Sequence, residues 1–442
     1  MRVVVVGAGL AGLTASHRLA TAGAHVTLVE AGSRLGGRAR TVRDPFTADQ
    51  YAESGAEWVD TDHHRMLALL GRHGIALLGE GQRWTFVRRL FHRNGVLLGP
   101  EQVRTIEPTL DTDLERFDDA CAGLADGIAD PAMPHLHPDA QAIDRRSVAD
   151  LVDELDLGPL ARSFTSFAAQ GEFADEPLNV SLLFVAQQRA HMRASRGGEV
   201  VMAHRVDGGL SRLVAGVADD VAASGVEVST REPLVEVRWT ADSVEVVTAV
   251  RTIRADRVVL ACALGPMRRV RFDPPLPAPL AGAIEHLGYG TVTKTAIQYS
   301  RRAWRRGYAN TMLPIQRVYE PTVDQPGEPG VLMAYTGGDS GRTMAADPEP
   351  ARLLAVAAQF EAMYATGDAP LGGFSRAWSA EPRYGGSYAV YRPGQVVTFW
   401  PVLREACGPI HLAGEHVAAC TGYLEGAVES GERVAATITG CR

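Results

Sequence analysis

The sequence feature that most constrains the fold is a glycine motif at the start of the chain. The valine-rich run Arg2–Val6 predicts a buried β-strand, and Gly7-Ala8-Gly9-Leu10-Ala11-Gly12 follows it directly. In such a G-x-G-x-x-G turn the first glycine permits the tight turn, the second lets the backbone approach a pyrophosphate, and the third lets the helix pack on the strand. The helix N-terminus also favours the phosphate charge. The motif therefore predicts a dinucleotide site.

The residues after this motif complete a strand–helix–strand unit. Leucines at helical spacing follow the motif, Gly23 ends the predicted helix, and His25–Glu30 predicts a second strand that ends in an acid. Glu30 lies 18 residues after Gly12, where a carboxylate can bind both hydroxyls of an adenosine ribose. The combination predicts an α/β domain of the Rossmann type.

Composition and charge exclude several function classes. The chain has 442 residues, of which 46% are hydrophobic and 22% charged, so it has room for two or three globular domains. Its net charge of −8 is spread along the whole length, which argues against nucleic acid or an anionic membrane surface as a partner. No apolar run approaches the ~18 residues of a membrane span, and a strand that begins at Arg2 leaves no room for a signal peptide. We expect a cytoplasmic protein.

The cysteines and histidines give no sign of a disulfide framework or a metal site. The cysteines are odd in number and scattered, at Cys121, Cys262, Cys407, Cys420 and Cys441, which favours reduced thiols. His135 and His137 are flanked by prolines, which predicts a surface loop, and no third ligand follows at suitable spacing. We expect no metal.

A second glycine turn, Ser33–Arg38, indicates which dinucleotide binds, because a simple nicotinamide site has no need of it. The run from Gly7 to Arg38 resembles the N-terminus of the flavin-containing amine oxidases, the family of monoamine, polyamine and L-amino-acid oxidases. The resemblance implies FAD, with the second turn lying along the flavin. Gly32 stands where the family usually has an arginine, so the resemblance leaves one adenosine or phosphate contact open.

The segment around Gly55 resembles the part of the family fold that passes the flavin ring. The run Tyr51–Val59 predicts a strand broken by Gly55, and Glu57 and Trp58 are expected to face the substrate cavity. In L-amino-acid oxidases the arginine that binds the substrate carboxylate falls here, and the matching position is Glu57. A carboxylate suits a cation and repels a carboxylate, which favours an amine without an α-carboxylate. The alternative is that Glu57 is a helix-end or salt-bridge residue.

The predicted strand Gly288–Tyr299 carries one lysine, Lys294, in an otherwise uncharged run. A lone lysine in such a strand needs a partner. In the family the lysine at this place holds a water against flavin N5, and Lys294 matches it. The alternative is an outward-facing strand lysine.

The last two motifs resemble the family segments that pass the dimethylbenzene edge and the front of the flavin. In monoamine oxidases a cysteine bonded to the flavin lies nine residues after a tryptophan that Trp378 matches. Ser387 stands at that place here, so the resemblance implies a non-covalent flavin. Tyr388 and Tyr423 match the two walls of an aromatic cage, although either tyrosine alone would more often belong to the core. Glu415 follows the strand that begins at Ile410 and is expected to bond the ribityl hydroxyls.

The resemblance thus implies two sets of site residues. The catalytic set is Lys294, Tyr388, Tyr423 and Glu57. The cofactor-binding set is Gly7, Gly9, Leu10, Ala11, Gly12, Glu30, Ala31, Arg34, Gly36, Gly37, Arg38, Gly55, Ala56, Glu57, Trp58, Leu234, Trp378, Gly414, Glu415, Gly422, Tyr423 and Leu424.

The implied architecture is the two-domain fold of the amine oxidases. An α/β, Rossmann-like FAD-binding domain is assembled from residues 1–75, 205–273 and 397–442. An α+β substrate-binding domain, residues 76–204 and 274–396, is inserted into it. Helical patterns predominate from 76 to 204.

The expected function is that of an FAD-dependent amine oxidase. A nicotinamide-driven reductase would need a second dinucleotide motif, and Gly288-Tyr289-Gly290 lacks the third glycine and the acid. The electrons are therefore expected to come from a small-molecule amine, oxidised to the imine, and to leave to dioxygen as hydrogen peroxide. Two alternatives stay open, an L-amino-acid oxidase and a flavin desaturase or dehydrogenase with another acceptor. A non-catalytic scaffold is disfavoured because no docking tail or charge run is present, and a homodimer is compatible with the sequence.

Overall fold

The computed structural model describes residues 1–82, 89–196 and 202–440. Its helices are α1 (Leu10–Thr21), α2 (His64–Arg72), α3 (Pro100–Ile106), α4 (Leu110–Ala125), α5 (Ala140–Asp144), α6 (Val148–Glu154), α7 (Pro159–Glu172), α8 (Leu182–Arg196), α9 (Leu210–Ala223), α10 (Leu264–Met267), α11 (Ala278–His286), α12 (Gly338–Ala345), α13 (Glu349–Tyr364), α14 (Gln395–Arg404) and α15 (Leu424–Thr439).

The strands are mostly short and fall into several sheets. They are β1 (Arg2–Val6), β2 (His25–Glu30), β3 (Thr41–Val42), β4 (Ala52–Glu53), β5 (Val59–Asp60), β6 (Leu77–Gln82), β7 (Leu90–Arg93), β8 (Val96–Leu98), β9 (Ala203–Val206), β10 (Glu227–Thr230), β11 (Leu234–Trp239), β12 (Val244–Thr248), β13 (Thr252–Ala255), β14 (Arg257–Leu260), β15 (Arg271–Asp273), β16 (Gly288–Tyr289), β17 (Val292–Tyr299), β18 (Ala309–Thr311), β19 (Arg317–Tyr319), β20 (Gly330–Gly337), β21 (Gly372–Ala377), β22 (Ala389–Val390) and β23 (Ile410–Leu412).

A parallel sheet of five strands, in the order β10-β2-β1-β14-β23, carries the glycine motif. Val3–Val6 of the central strand are buried, because helices cover both faces of a parallel sheet and its inner strands need apolar residues on each side. The motif leaves this sheet at the carboxyl end of β1, where ligands bind in open α/β sheets. The predicted α/β fold with a Rossmann-like sheet is thus confirmed.

Small residues let the last helix pack closely on the first. A Cβ added to Gly431 of α15 would lie 2.5 Å from the carbonyl oxygen of Ala11 in α1. A Cβ added to Gly426 would lie 2.0 Å from the carbonyl oxygen of Cys420. The final helix, α15, therefore packs against α1, the helix that follows the first strand of the parallel sheet.

A second sheet of seven strands has the order β21-β17-β20-β19-β18-β7-β8. Strand β17 pairs antiparallel with β20 on one side and with β21 on the other, and all of its residues are buried. Because β17 is paired on both sides and fully buried, the run around Lys294 is otherwise uncharged. Strands of the parallel sheet come from residues 1–75, 205–273 and 397–442, and the division into two domains stays a prediction.

Residues 100–196 are helical, as their pattern predicts, and contain α3 to α8. The preceding part differs from the helical prediction, because residues 77–82 and 90–98 form β6, β7 and β8. Strand β7 pairs with β18 from a distant part of the chain. Such a pairing partner cannot be read from local periodicity.

The thiols of Cys121, Cys262, Cys407 and Cys420 are free, and Cys441 lies outside the described residues. In residues 1–82, 89–196 and 202–440, no helix combines the length and the apolar character needed to cross a membrane.

Replacement of Gly12 by alanine tests the contact between strand and helix in the glycine motif. The added Cβ would lie 1.8 Å from the carbonyl oxygen of Gly7 and 3.2 Å from the Cβ of Ala261. The helix must then move away from the turn, so we expect Gly12→Ala to lower the free energy of unfolding by roughly 1–3 kcal/mol, measured by denaturant titration.

Gly71→Ala is the matched control. Gly71 lies in α2, and a Cβ added there meets no atom of the described chain within 4 Å. Alanine should stabilise this helix by roughly 0.5–1 kcal/mol. Equal effects of the two substitutions would refute the close contact at Gly12.

Candidate functional site

A single large cavity brings most of the predicted site residues together. Its volume is about 960 Å³, and it begins at the carboxyl end of β1 and continues to the face of the seven-stranded sheet that carries Lys294. The predicted residues that line it are Gly7, Gly9, Leu10, Ala11, Glu30, Ala31, Gly36, Gly37, Arg38, Gly55, Ala56, Glu57, Trp58, Leu234, Lys294, Trp378, Tyr388, Gly414, Glu415, Gly422, Tyr423 and Leu424.

The glycine loop forms one end of this cavity. Gly7 has a φ of +102°, a conformation that favours glycine, and a Cβ there would lie 2.9 Å from the carbonyl oxygen of Ala261. The two glycine turns touch, since a Cβ on Gly37 would lie 3.2 Å from the Cα of Gly9. The carboxylate of Glu30 accepts the amide N–H of Ala8 at 2.8 Å, which fixes it beside the loop.

Two predicted cofactor residues do not line the cavity. Gly12 lies inside the strand–helix contact described above. The guanidinium of Arg34 donates to the carbonyl oxygens of Leu35 at 3.1 Å and Ala39 at 3.3 Å, and also to that of Gly37. Arg34 therefore stabilises the conformation of the second glycine turn.

A side chain from a distant part of the sequence, Arg383, lies beside Gly32. A Cβ on Gly32 would lie 3.0 Å from Oε1 of Glu30 and 3.2 Å from Nη1 of Arg383. Arg383 also lines the cavity. A guanidinium from a distant segment thus stands beside Glu30, close to the position at which Gly32 replaces an arginine.

A second group of polar contacts surrounds Glu415. Nη1 of Arg38 donates to Oε1 of Glu415 at 3.0 Å and to the carbonyl oxygen of Ser387 at 2.5 Å. The amide N–H of Gly422 donates to Oε2 of Glu415 at 3.1 Å. The amide N–H of Ala389 also donates to Glu415, at 3.3 Å to Oε1 and 3.2 Å to Oε2, so Glu415 ties together three segments of the wall.

The centre of the cavity contains a buried ion cluster. Nζ of Lys294 lies 2.7 Å from Oε2 of Glu57, and Nε of Arg205 lies 2.8 Å from Oε1 of the same carboxylate. The hydroxyl of Tyr319 donates to Oε2 of Glu57 at 2.5 Å. Lys294 also donates to the carbonyl oxygen of Gly55 at 3.1 Å. A third ammonium proton of Lys294 remains for a ligand or a water.

This cluster changes the role expected for Glu57. Burial alone would raise the pKa of Glu57, but Lys294 and Arg205 overcome that effect and lower it to about 2. The carboxylate is ionised and already balanced by two cations. It does not present the uncompensated negative charge on which the preference for an amine without an α-carboxylate rested. That preference therefore loses its support, and the salt-bridge alternative describes the contacts of Glu57.

Arg205 and Tyr319 are members of this cluster that sequence reasoning missed. Arg205 lies on β9, and its guanidinium carbon lies 4.2 Å from the centroid of the Trp58 ring. It is a charged residue in a short strand, the same signal that singled out Lys294. Tyr319 lies on β19 and carries no local signal, because its contact with Glu57 depends on sheet pairing.

Neighbouring side chains and a backbone carbonyl contact the two cage tyrosines. The hydroxyl of Tyr388 lies 2.7 Å from that of Tyr335, and the two lie 3.1 and 3.2 Å from the carbonyl oxygen of Gly171. Each phenol has one proton, so one hydroxyl donates to the other and the second donates to Gly171. The ring of Tyr423 meets that of His63 edge-on, with centroids 5.4 Å apart. Burial raises the pKa of Tyr388 well above its ordinary value, so its phenol stays protonated.

The arrangement fits a dinucleotide of flavin type. A glycine loop at a helix N-terminus suits a pyrophosphate, and the fixed carboxylate of Glu30 suits ribose hydroxyls. The cavity then extends past Gly37 and Gly55 to an ammonium and two aromatic faces, where an isoalloxazine ring and a small substrate find room.

Comparisons with known proteins agree with this description. The profile of the family described as flavin containing amine oxidoreductase matches residues 10–439. A flavin-containing amine oxidase of Danio rerio is 26% identical over 98% of this chain and 84% of its own. An L-amino acid dehydrogenase of Synechocystis sp. is 28% identical over 99% of this chain and 94% of its own. In fold, the chain is similar to cyclohexylamine oxidase from Brevibacterium oxydans, with a TM-score of 0.87, 21% identity, and coverage of 99% and 98% of the two chains.

The ion cluster predicts an asymmetry between two substitutions. Glu57→Gln leaves two buried cations, Lys294 and Arg205, without their shared carboxylate, and should lower the free energy of unfolding by about 3–5 kcal/mol. Lys294→Met leaves Glu57 paired with Arg205 and should cost clearly less. Denaturant titrations of both variants at pH 7 measure the difference.

The pH dependence provides the control. The pKa of Glu57 in the folded chain, about 2, lies below its ordinary value of 4.5, so its contribution is fully present above pH 4.5 and is lost as the pH falls toward 2. The difference between wild type and Glu57→Gln should therefore narrow below pH 4.5. A difference independent of pH, or a larger loss in Lys294→Met, would contradict the cluster.

Proposed function

The chain belongs to the flavin containing amine oxidoreductase family, and from that premise we propose that it oxidises a C–N bond of a small amine to the imine and transfers the electrons to dioxygen. It is an FAD-dependent oxidoreductase acting on amines, as its family implies. The observation that carries the proposal is that Lys294, Tyr388 and Tyr423 line the same cavity as the glycine loop. The chemistry that bound FAD supplies is acceptance of a hydride or its equivalent from the carbon beside the nitrogen. The imine then takes up water and gives a carbonyl compound and ammonia or an amine, while dioxygen becomes hydrogen peroxide.

The tyrosine pair has the task of orienting the amine. Aromatic faces attract the polarised C–H and N–H groups of an amine, and orientation of the reacting carbon lowers the barrier without any charged catalyst. Tyr388 cannot turn freely, because its hydroxyl is bonded to Tyr335 and to the carbonyl oxygen of Gly171. The phenol therefore acts as a fixed wall and does not act as a base.

Lys294 has the task of holding a water in the cavity. Two of its protons are taken by Gly55 and Glu57, so the ammonium has a fixed direction for the third. With FAD bound, the fixed ammonium would also stabilise the negative charge that develops when dioxygen is reduced.

The absence of a cysteine at Ser387 supports non-covalent binding of FAD. The hydroxyl of Ser387 donates to the carbonyl oxygen of Gly290 at 2.9 Å, and a serine cannot form a thioether. Acid or heat treatment of the purified yellow protein should release intact FAD into the supernatant, which absorbance and chromatography can identify. Flavin retained in the precipitated polypeptide would show that a covalent link exists.

The proposed reaction has a direct test. Primary amines should bleach the flavin under anaerobic conditions, and admitted air should restore its colour and yield one hydrogen peroxide per carbonyl product. The control is heat-released FAD with the same amines, which should not bleach. Bleaching that air does not reverse, but that a quinone or a redox dye does, would favour the dehydrogenase alternative. Failure of all amines and amino acids to bleach the flavin would overturn the proposal.

We also propose a cytoplasmic location, which the free thiols of Cys121, Cys262, Cys407 and Cys420 support. The homodimer stays a prediction.

A further inference from the structure

The inner wall of the cavity carries two arginines that the proposed reaction does not use. Arg317 lies on β19 and Arg89 lies just before β7, and both line the cavity. Side chains two residues apart on a strand share a face, so Arg317 lies on the same sheet face as Tyr319, which reaches Glu57. The guanidinium of Arg317 therefore belongs to the wall that faces the ion cluster and the cage.

Contacts with neighbouring residues fix the position of the Arg317 guanidinium. Its Nη2 donates to the carbonyl oxygen of Phe167 at 2.7 Å, and its central carbon lies 5.7 Å from the centroid of the Tyr335 ring. A Cβ on Gly171 would lie 2.0 Å from this Nη2 and 2.2 Å from Nη1. The missing side chain of Gly171, inside α7, is thus what makes room for the guanidinium.

The charge of Arg317 is not balanced by an ion pair with any described residue. In the part of the chain that the structure describes, no carboxylate forms an ion pair with Arg317. Four acids also line the cavity, at Asp111, Glu115, Asp118 and Glu172. Asp118 is paired with Arg189 and Asp111 with Arg104. Arg317 is half-buried, and a cation that is partly removed from water without a counter-ion is costly, so an anion in the cavity would lower that cost.

Arg89 adds a second positive charge to the same region. Its guanidinium carbon lies 5.2 Å from the centroid of the Tyr308 ring. Burial, together with the charge of Arg317, lowers the pKa of Arg89 to about 9. Burial raises the pKa of Tyr388, and the charge of Arg317 opposes that rise. The charge of Arg317 thus acts on both Arg89 and Tyr388, which line the same cavity.

We propose that Arg317, with Arg89, binds a carboxylate carried by the substrate, so that the oxidised molecule is an amine that also bears an acid. This inference rests on the proposed function and names the substrate class of the same site. The guanidinium of Arg317 gives one N–H of Nη2 to Phe167, and its other donors keep the planar arrangement that suits the two oxygens of a carboxylate. Glu57 does not repel that carboxylate, because Lys294 and Arg205 balance its charge.

The first experiment measures binding without turnover. Benzoate, phenylacetate and 3-phenylpropanoate are titrated into the oxidised holoenzyme, and the flavin absorption spectrum is recorded. At least one of them should bind, while the matching alcohols should not. Arg317→Gln should weaken the binding at least tenfold, and Arg317→Lys should recover part of it. No binding by all three acids, or equal binding in Arg317→Gln, would overturn the proposal.

Two further variants guard against a general folding defect. Gly171→Ala keeps both arginines but displaces the guanidinium of Arg317, and should also weaken carboxylate binding. Arg342→Gln is the control, because Arg342 is partly exposed on α12, outside the cavity, and pairs with Asp339. Its affinity for the acids should equal that of the wild type. A Gly171→Ala variant that folds and binds the acids as tightly as the wild type would count against the proposed position.

The second experiment separates this inference from the proposed function. Anaerobic flavin bleaching is compared for phenethylamine against phenylalanine and for butylamine against 4-aminobutanoate. The proposal expects the acid-bearing member of at least one pair to bleach at least tenfold faster, with the advantage lost in Arg317→Gln. Faster bleaching by both simple amines would overturn the inference and leave the amine oxidation standing. If no compound bleaches the flavin, both proposals fail.

Discussion

A carboxylate buried between two cations joins the segments that build the cavity. Glu57 comes from the loop after β4, Lys294 from β17 of the seven-stranded sheet, and Arg205 from β9, the middle strand of the three-stranded sheet β5-β9-β6. Burying three charges is favourable only where each one finds a partner with good geometry. The cluster thus ties the seven-stranded sheet to the three-stranded sheet. The direction of the Lys294 ammonium, on which its chemistry depends, follows from the same contacts.

The parts of this arrangement that the sequence predicts are those with a local signature. The strand, the glycine turn and Glu30 form one continuous unit, and Lys294 stands out because it interrupts an apolar strand. Each of these residues can be placed without knowing its distant partners. The last helix begins at Leu424, since Gly422 has a φ of +87° and belongs to the turn before it.

Residues whose role depends on a distant partner are the ones that sequence reasoning misjudged or missed. Glu57 read alone is an anion facing a cavity, and only its pairing with Arg205, 148 residues away, shows that its charge is balanced. Arg317 read alone is one charge in a short strand, and its place in the cavity depends on the pairing of β19 with β18 and β20. Arg383 likewise lies beside Gly32 although the two residues are far apart in the sequence. Electrostatic balance is a property of the folded chain, so single positions do not reveal it.

The order of strands in the parallel sheet has a consequence for how the protein matures. The first strand pairs with β2 on one side, but its other neighbour, β14, is synthesised some 250 residues later, and β23 later still. The cavity wall likewise joins Gly7 to Tyr423. The N-terminal strand can therefore pair with β2 early but must wait for β14, so the parallel sheet and the cavity wall are complete only after nearly the whole chain has been made.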